Sequence, residues 1–403
     1  MKPRERVLRA LSHREVDRVP IDLGGTQNST MCAGAYDNFK RYLGVDAPTV
    51  ELSRVFETVV MDEAVLRLLP VDTRAIYARP PSQSRTRRPW RLPQGWPWRL
   101  PQGWPWRLPQ GWLDDRSFVD EWGITFRRAE SGVQFDPVAH PLAEATVADL
   151  ERYDWPDVED PSRYAGLGEL ARDLHENTYY AVSVSTADTT IFDKAWMLRG
   201  MAQFLADLLL DQEFSLALLE KVADVQCRRH VAFLTEVGPY ADVITISDDM
   251  GTQRGPIIRP ELYRKMVKPF HRRYVETIRR HTGAKTLNHA CGSIIDLVED
   301  YIELGIDALN PMQVAAAQMT PQSLHRRFAG RMAFWGGIDT QRLLPHGKPE
   351  EVRQAVRDTV HAMNGLAGGY VLGAVHNIQD DVPPENVWAL LDEAATKELS
   401  HEP

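Results

Sequence analysis

The chain has 403 residues, 43% of them hydrophobic and 26% charged, enough to bury one large core or two ordinary ones. A formal charge of -9 and a pI near 5.8 argue against a nucleic-acid or anionic-membrane surface, since either needs a concentrated basic face, and favour a small or neutral ligand. The N-terminal segment has no apolar h-region or cleavage pattern, no stretch is apolar for long enough to span a bilayer, and three cysteines (Cys32, Cys227, Cys291) are too few for a disulfide framework, so a cytoplasmic protein is expected.

In chain order, short β-branched or apolar runs alternate with segments of helical period. The first predicted strand is Val19 to Leu23 and the second is Arg74 to Ala78. Three uninterrupted copies of PWRLPQGW then run from Pro89 to Trp112. Solenoids need units of roughly 20–50 residues, and prolines at the first and fifth positions with glycine at the seventh exclude a continuous helix or a central strand. The octamers therefore read as a loop insertion produced by tandem duplication. Lengthening a loop costs only about 0.6 kcal/mol per doubling, so such an insertion persists without needing a role. Removing two copies leaves RRPWRLPQGWLDDRSFVDEWG, a loop between the second strand and the DEWG segment. Six more predicted strands come after it: Ala181 to Ser185, Asp242 to Ser247, Lys285 to His289, Ala308 to Asn310, Met332 to Trp335 and Tyr370 to Val375. Between them lie helical segments from Phe204 to Gly238, from Pro260 to Gly283, from Ser293 to Gly305 and from Pro349 to Gly369. The last opens on proline with Glu350 and Glu351 in its first turn and is expected to end at Gly368-Gly369. Eight strand–helix units predict an α/β fold, a (β/α)8 TIM barrel with an N-terminal helical extension and a long Trp/Pro-rich loop, forming one domain over residues 1–403.

A barrel of this kind carries its chemistry at the C-terminal strand ends. The predicted strands run out into IDLGGTQ, SDDMGTQ, NHACGS, NPMQV, GGIDTQ and AVHNIQDD, which gather Asp, Gln, Asn, His and Cys at one predicted face. His289 and Cys291 stand two apart, so strand alternation points both to one side. Imidazole and thiolate are preferred zinc donors, and three protein ligands with an open fourth position mark a catalytic site; His376 is the natural third ligand. Cys227, within a helical run, and Cys32, with no partner at ligand spacing, are poorer choices. Of the adjacent carboxylates Asp248 and Asp249 only one is expected to meet substrate, with Asp249 preferred and Asp248 second as catalytic residue. Gln253, Gln313, Asp339 and Gln379 are candidate substrate hydrogen-bonders, although residues of this type also cap helices and pin loops. His13, His140, His271 and His281 read as surface histidines.

The segments KPRERVLRALSHREVDRVPID, SDDMGTQRGPIIRPELYRKMVKP, NHACGS, NPMQV, FWGGIDTQ and HNIQDDVPPENV resemble the uroporphyrinogen decarboxylase superfamily, and within it the branch of zinc- and corrinoid-linked methyltransferases. The resemblance spans nearly the whole chain outside the octamers and implies a TIM barrel. The decarboxylase grips its substrate's carboxylates with an arginine-rich motif after the first strand. Here that segment is GGTQNSTMCAG, which has no arginine to fork onto carboxylates. The methyltransferase branch binds zinc through a His-x-Cys pair and a later Cys; His289 and Cys291 match the pair, and His376 departs from the pattern at the later position. The resemblance thus implies a zinc-dependent methyltransferase that passes a methyl group between a small methylated or methoxylated substrate, or a thiol acceptor, and a corrinoid (cobalamin). Since the chain shows no convincing cobalamin-binding segment, the corrinoid is expected on a partner protein. The alternatives are a decarboxylase of the uroporphyrinogen type and a ligand-binding barrel without turnover.

Overall fold

The computed structural model describes residues 1–80, 112–114, 116–129 and 134–396. The octamers lie outside the described residues except for the backbone of Trp112. Seven parallel strands form a curled sheet in strict chain order: β1 (Thr73–Tyr77), β2 (Ala181–Ser185), β3 (Val243–Ser247), β4 (Lys285–His289), β5 (Ala308–Asn310), β6 (Ala333–Trp335) and β7 (Tyr370–Val371). β2 and β3 are buried at every residue, as strands of a parallel sheet covered by helices must be.

The predicted first strand does not form a regular strand. Its residues instead bridge the two sheet edges: Asp22 N–H donates to the Leu372 carbonyl and Leu372 N–H to that of Pro20, each at 2.9 Å, while Asp72 N–H donates to the Ile21 carbonyl at 2.9 Å. Pro20 and the Gly24-Gly25 pair explain the brevity, because one lacks a donor and the others favour a turn; Gly24 has φ +81°. The barrel-like sheet is thus joined through residues 20–22. The predicted eighth strand is likewise cut short at Val371, and its continuation makes only isolated bridges at Leu372 and Ala374.

Helix α1 (Pro3–Leu11) packs Val7 and Leu11 against Ala181, Val243, Leu287, Ala308, Ala333, Trp335 and Val371. Ala181, Val243, Ala308 and Ala333 open or nearly open their strands, so α1 stoppers the N-terminal end of the sheet and leaves the opposite end for chemistry. The long helical segment from Phe204 is two helices, Met201–Leu210 and Gln212–Val237, divided at Asp211, whose carboxylate accepts from Phe214 N–H at 3.1 Å. The Pro349 helix ends at Ala362 rather than at the glycine pair, with Asn364 supplying the left-handed residue at φ +47°. Between β1 and β2 stands an element whose sequence reads as loop: a four-stranded antiparallel sheet of Trp112–Asp114, Ser117–Val119, Thr125–Arg128 and Phe135–Ala139. Phe118 anchors it, with its ring 5.3 Å from those of both Phe126 and Phe135. Among the described residues, no helix is long and apolar enough to cross a membrane.

Candidate metal centre and cavity

Parallel register sets His289, the last residue of β4, level with Ser247 of β3 and Asn310 of β5. Cys291 lies two residues on, and His376 comes in from the segment after β7. The donor atoms of His289, Cys291 and His376 all lie within 4.8 Å of one another. The two imidazole rings stand 5.3 Å apart, inclined at 72°.

His289 is 2% exposed, and its protonation pattern is set by its neighbours. Nδ1–H donates to Asn310 Oδ1 at 2.5 Å, and Asn310 is itself oriented because its amide nitrogen donates to the Trp335 carbonyl at 3.3 Å. With the ring proton held at Nδ1, Nε2 presents a lone pair. That nitrogen lies 3.3 Å from Cys291 Sγ and accepts from Asn28 Nδ2 at 3.2 Å. Burial lowers the His289 pKa against the raising influence of Asp249 and Asn310. Burial and then the neighbouring His289 push His376 down to about 3. Burial, reinforced by the negative charges of Asp249 and Asp193, pushes the Cys291 thiol well up. Two neutral imidazoles and a thiol beside a carboxylate form a donor set that gains most from a cation, which would release the thiol proton and be balanced by Asp249.

The mouth beside these residues is a cavity of about 200 Å³, lined by Gly251, Gln253, Cys291, Gln313, Gln341 and His376 among others. No lysine or arginine lines it among the described residues. The turn carrying Cys291 is pinned by two acceptors, since Cys291 N–H donates to Asp249 Oδ1 at 2.7 Å and Gly292 N–H to Gln313 Oε1 at 2.6 Å. Gly292 has φ +82°, and a Cβ there would come within 2.4 Å of the Gly251 carbonyl carbon, so the turn requires glycine on both counts.

The structure separates the other candidates. Asp249 is 42% exposed, with Oδ1 3.8 Å from His289 Nε2. Gln313 is buried at the cavity wall, where its carbonyl oxygen is already engaged. Gln253 is exposed at the cavity rim. Asp339 takes the capping alternative, accepting from the N–H groups of Gln341, Arg342 and Leu343 at 2.9, 3.2 and 3.3 Å. Gln379 donates to the Asn377 carbonyl at 3.2 Å and bonds Cys32.

Asp248, the second choice for the one carboxylate expected to meet substrate, is buried and turns away from the cluster into the fold. Its oxygens accept from Ile191, Phe192 and Asp193 N–H at 3.1, 2.8 and 2.7 Å, capping the helix Phe192–Arg199, and from His271 Nε2–H at 2.7 Å. His271, which the sequence suggests is a surface residue, is buried and also accepts from the Tyr263 hydroxyl. Asp248→Asn is expected to cost about 1–3 kcal/mol, because an amide nitrogen cannot accept from the donors left facing it. Urea unfolding measures this, and an Asp248→Asn variant as stable as the wild type would return Asp248 to the site.

Sequence reasoning missed Asn28, Asn310 and Asp193. Asn28 and Asn310 bracket His289. Asp193 is buried, accepts from Asp249 N–H at 2.8 Å, and has its pKa raised well above the usual range by burial and by the charges of Asp248 and Asp249. Asn310 closes a predicted strand and faces His289 through parallel register, a signal open to sequence; nothing local marked the other two.

Comparison with known proteins gives three findings. The uroporphyrinogen decarboxylase (URO-D) family profile matches residues 120–396. The methylated-thiol--coenzyme M methyltransferase of Methanosarcina mazei is 24% identical over 259 residues, 63% of this chain and 64% of that protein, so the match spans less than two thirds of that relative's length. A solved structure of a methyltransferase from Methanosarcina mazei shares the fold, with TM-score 0.65 over 98% of both chains at 16% identity. With well over half of its length matched by that one profile, the chain belongs to the uroporphyrinogen decarboxylase family.

Proposed function

We propose that the protein is a methyltransferase that holds zinc through His289, Cys291 and His376 and exchanges a methyl group with a corrinoid carried by a separate protein. The observation that carries this reading is the convergence of those three donors at the strand ends beside a cavity that no lysine or arginine lines among the described residues. Bound zinc supplies Lewis acidity, either to the oxygen of a methoxylated substrate or to an acceptor thiol. The chain's own groups do the rest. Asn310 holds the His289 proton at Nδ1; Asp249 and Gln313 fix the Cys291 turn; Gln253 and Gln341 offer amides to a small polar substrate. Asp249, half in solvent, is placed to accept a proton at the mouth.

Decarboxylation of uroporphyrinogen fits poorly, because a polycarboxylate needs guanidinium or ammonium groups and none of the described residues lining the cavity carries one. The test supplies cobalt(I) corrinoid protein with a panel of methylated and methoxylated small molecules and tracks methylcobalt(III) spectroscopically. Zinc-dependent methylation is expected. Turnover of uroporphyrinogen by metal-free protein overturns the reading, and purified protein that binds no metal favours the ligand-binding barrel.

A further inference from the structure

The side chain of Asn28 is 5% exposed, and its carboxamide oxygen has no hydrogen-bond partner among the described residues. A buried amide oxygen left unpaired costs about 1–3 kcal/mol, so it asks for an explanation. The loop that carries Asn28 is held by its own bonds: Asn28 N–H donates to Thr26 Oγ1 at 3.2 Å, Thr26 N–H donates to Ser29 Oγ at 3.0 Å, and Gly24 N–H donates to the Ser29 carbonyl at 2.8 Å. The residue is therefore presented to the centre by a built turn. Its amide nitrogen donates to His289 Nε2 at 3.2 Å, the same lone pair that faces Cys291 Sγ at 3.3 Å. An N–H aimed at that lone pair opposes a cation there, whereas a carboxamide oxygen in the same place would welcome one. Half a turn about Cβ–Cγ exchanges the two, and it sacrifices no bond at the oxygen because none exists there. Two donors about 2.0–2.1 Å from one tetrahedral ion stand roughly 3.3 Å apart, which is the spacing already found between Asn28 and His289.

From this geometry we infer that Asn28 supplies, through Oδ1, a fourth and displaceable ligand that closes the metal centre until substrate takes its place. The inference rests on the zinc reading above and adds to it the residue that guards the open position. The tautomer set by Asn310 makes His289 Nε2 the metal-facing atom, and Asn28 is the buried carboxamide next to it. A neutral oxygen is a weak donor beside imidazole and thiolate, so an incoming thiol or alkoxide displaces it without disturbing the other three.

The test uses the full chain stripped of metal and titrated with zinc against a chromophoric chelator, and with cobalt(II) for its visible ligand-field bands. Asn28→Ala is expected to weaken zinc binding about 10–100-fold and to alter the cobalt(II) bands. Asn28→Asp, which keeps an oxygen in place, is expected to restore affinity to at least that of the wild type. In Asn28→Ala the simple thiol 2-mercaptoethanol is expected to enter the cobalt(II) sphere at lower concentration than in wild type. Thermal unfolding of the metal-free variants checks that each is folded. Equal affinity and equal bands in wild type and Asn28→Ala overturn the inference. So does an Asn28→Asp variant as weak as Asn28→Ala, which would make Asn28 only a hydrogen-bond donor to His289. Failure of the zinc reading looks different: wild type itself then binds no stoichiometric metal, or retains it in Cys291→Ala.

Discussion

Cys291→Ala is expected to reduce zinc from about one ion per chain to background and to weaken titrated zinc by more than about 100-fold, beyond what loss of an outer partner costs. The magnitude comes from what the thiol contributes in this environment. Burial and the charges of Asp249 and Asp193 keep Cys291 protonated when no cation is near, so zinc must displace its proton and gains a full anionic donor in return. His289 and His376 are neutral donors that bring no charge. Without the thiolate, an ion faces two imidazoles and the partly solvated Asp249. Elemental analysis measures the first outcome, and release of about one proton per zinc in weakly buffered solution measures the second. Cys291→Ser is expected to fall between wild type and Ala in affinity. Unchanged zinc in Cys291→Ala would remove the site from this position and leave His289 and His376 as buried, packed histidines.

The barrel-like architecture was legible because its strands and helices announce themselves by period. Ala181 to Ser185, Lys285 to His289 and Ala308 to Asn310 appear as read, two further strands begin one residue later than read, and the strand read as Arg74 to Ala78 lies one residue earlier. What failed were places where tertiary pairing overrides a local pattern. Pro20 and Gly24 cut the first strand to a bridge, yet its backbone still joins both sheet edges. The antiparallel sheet between β1 and β2 escaped because its strands are short and its core is assembled from Phe118, Phe126 and Phe135, each embedded in polar sequence. At the site, strand alternation brought out His289 and Cys291, and placement at a strand end brought out His376. Alternation lets only one of Asp248 and Asp249 face substrate and nearness to the loop favours Asp249, but neither argument says what Asp248 does, because its partners lie at the helix after another strand. Asn28 is the hardest case. A neutral amide in a glycine-rich loop has no motif, and its meaning comes only from a histidine more than two hundred residues away.

Arg229→Met is expected to destabilise the protein by about 3–5 kcal/mol at neutral pH, the cost of breaking a buried ion pair and leaving its partners behind. Arg229 lies on the helix Gln212–Val237 and is 4% exposed. It pairs with Glu121 at 2.5 Å and with Asp188, while Lys194 holds Asp188 at 2.9 Å and Arg163 also engages Glu121. The cluster ties the turn between two strands of the antiparallel sheet, Ser117–Val119 and Thr125–Arg128, to the loop after β2 and to the helix capped by Asp248. Burial works to raise the Asp188 pKa, but Lys194 and Arg229 outweigh it and hold the carboxyl at about 2. Glu121 is lowered in the same way, with Arg229 and Arg163 overcoming burial. Carboxyls depressed in the fold contribute stability that is fully present above their unfolded pKa of about 4 and is lost as pH falls through the folded value. The neighbouring Asp120 has the opposite sign: burial raises it to about 7, so its contribution fades as pH climbs from about 4 towards neutrality. In Arg229→Met, Asp188 and Glu121 protonate at higher pH and no longer need the guanidinium. The stability difference from wild type is therefore expected to shrink as pH falls from 7 towards 3. Urea unfolding at several pH values in that range measures it. A deficit that stays constant with pH would show that Arg229 acts through packing against Trp122, whose ring centre lies 5.9 Å from its guanidinium carbon, rather than through charge.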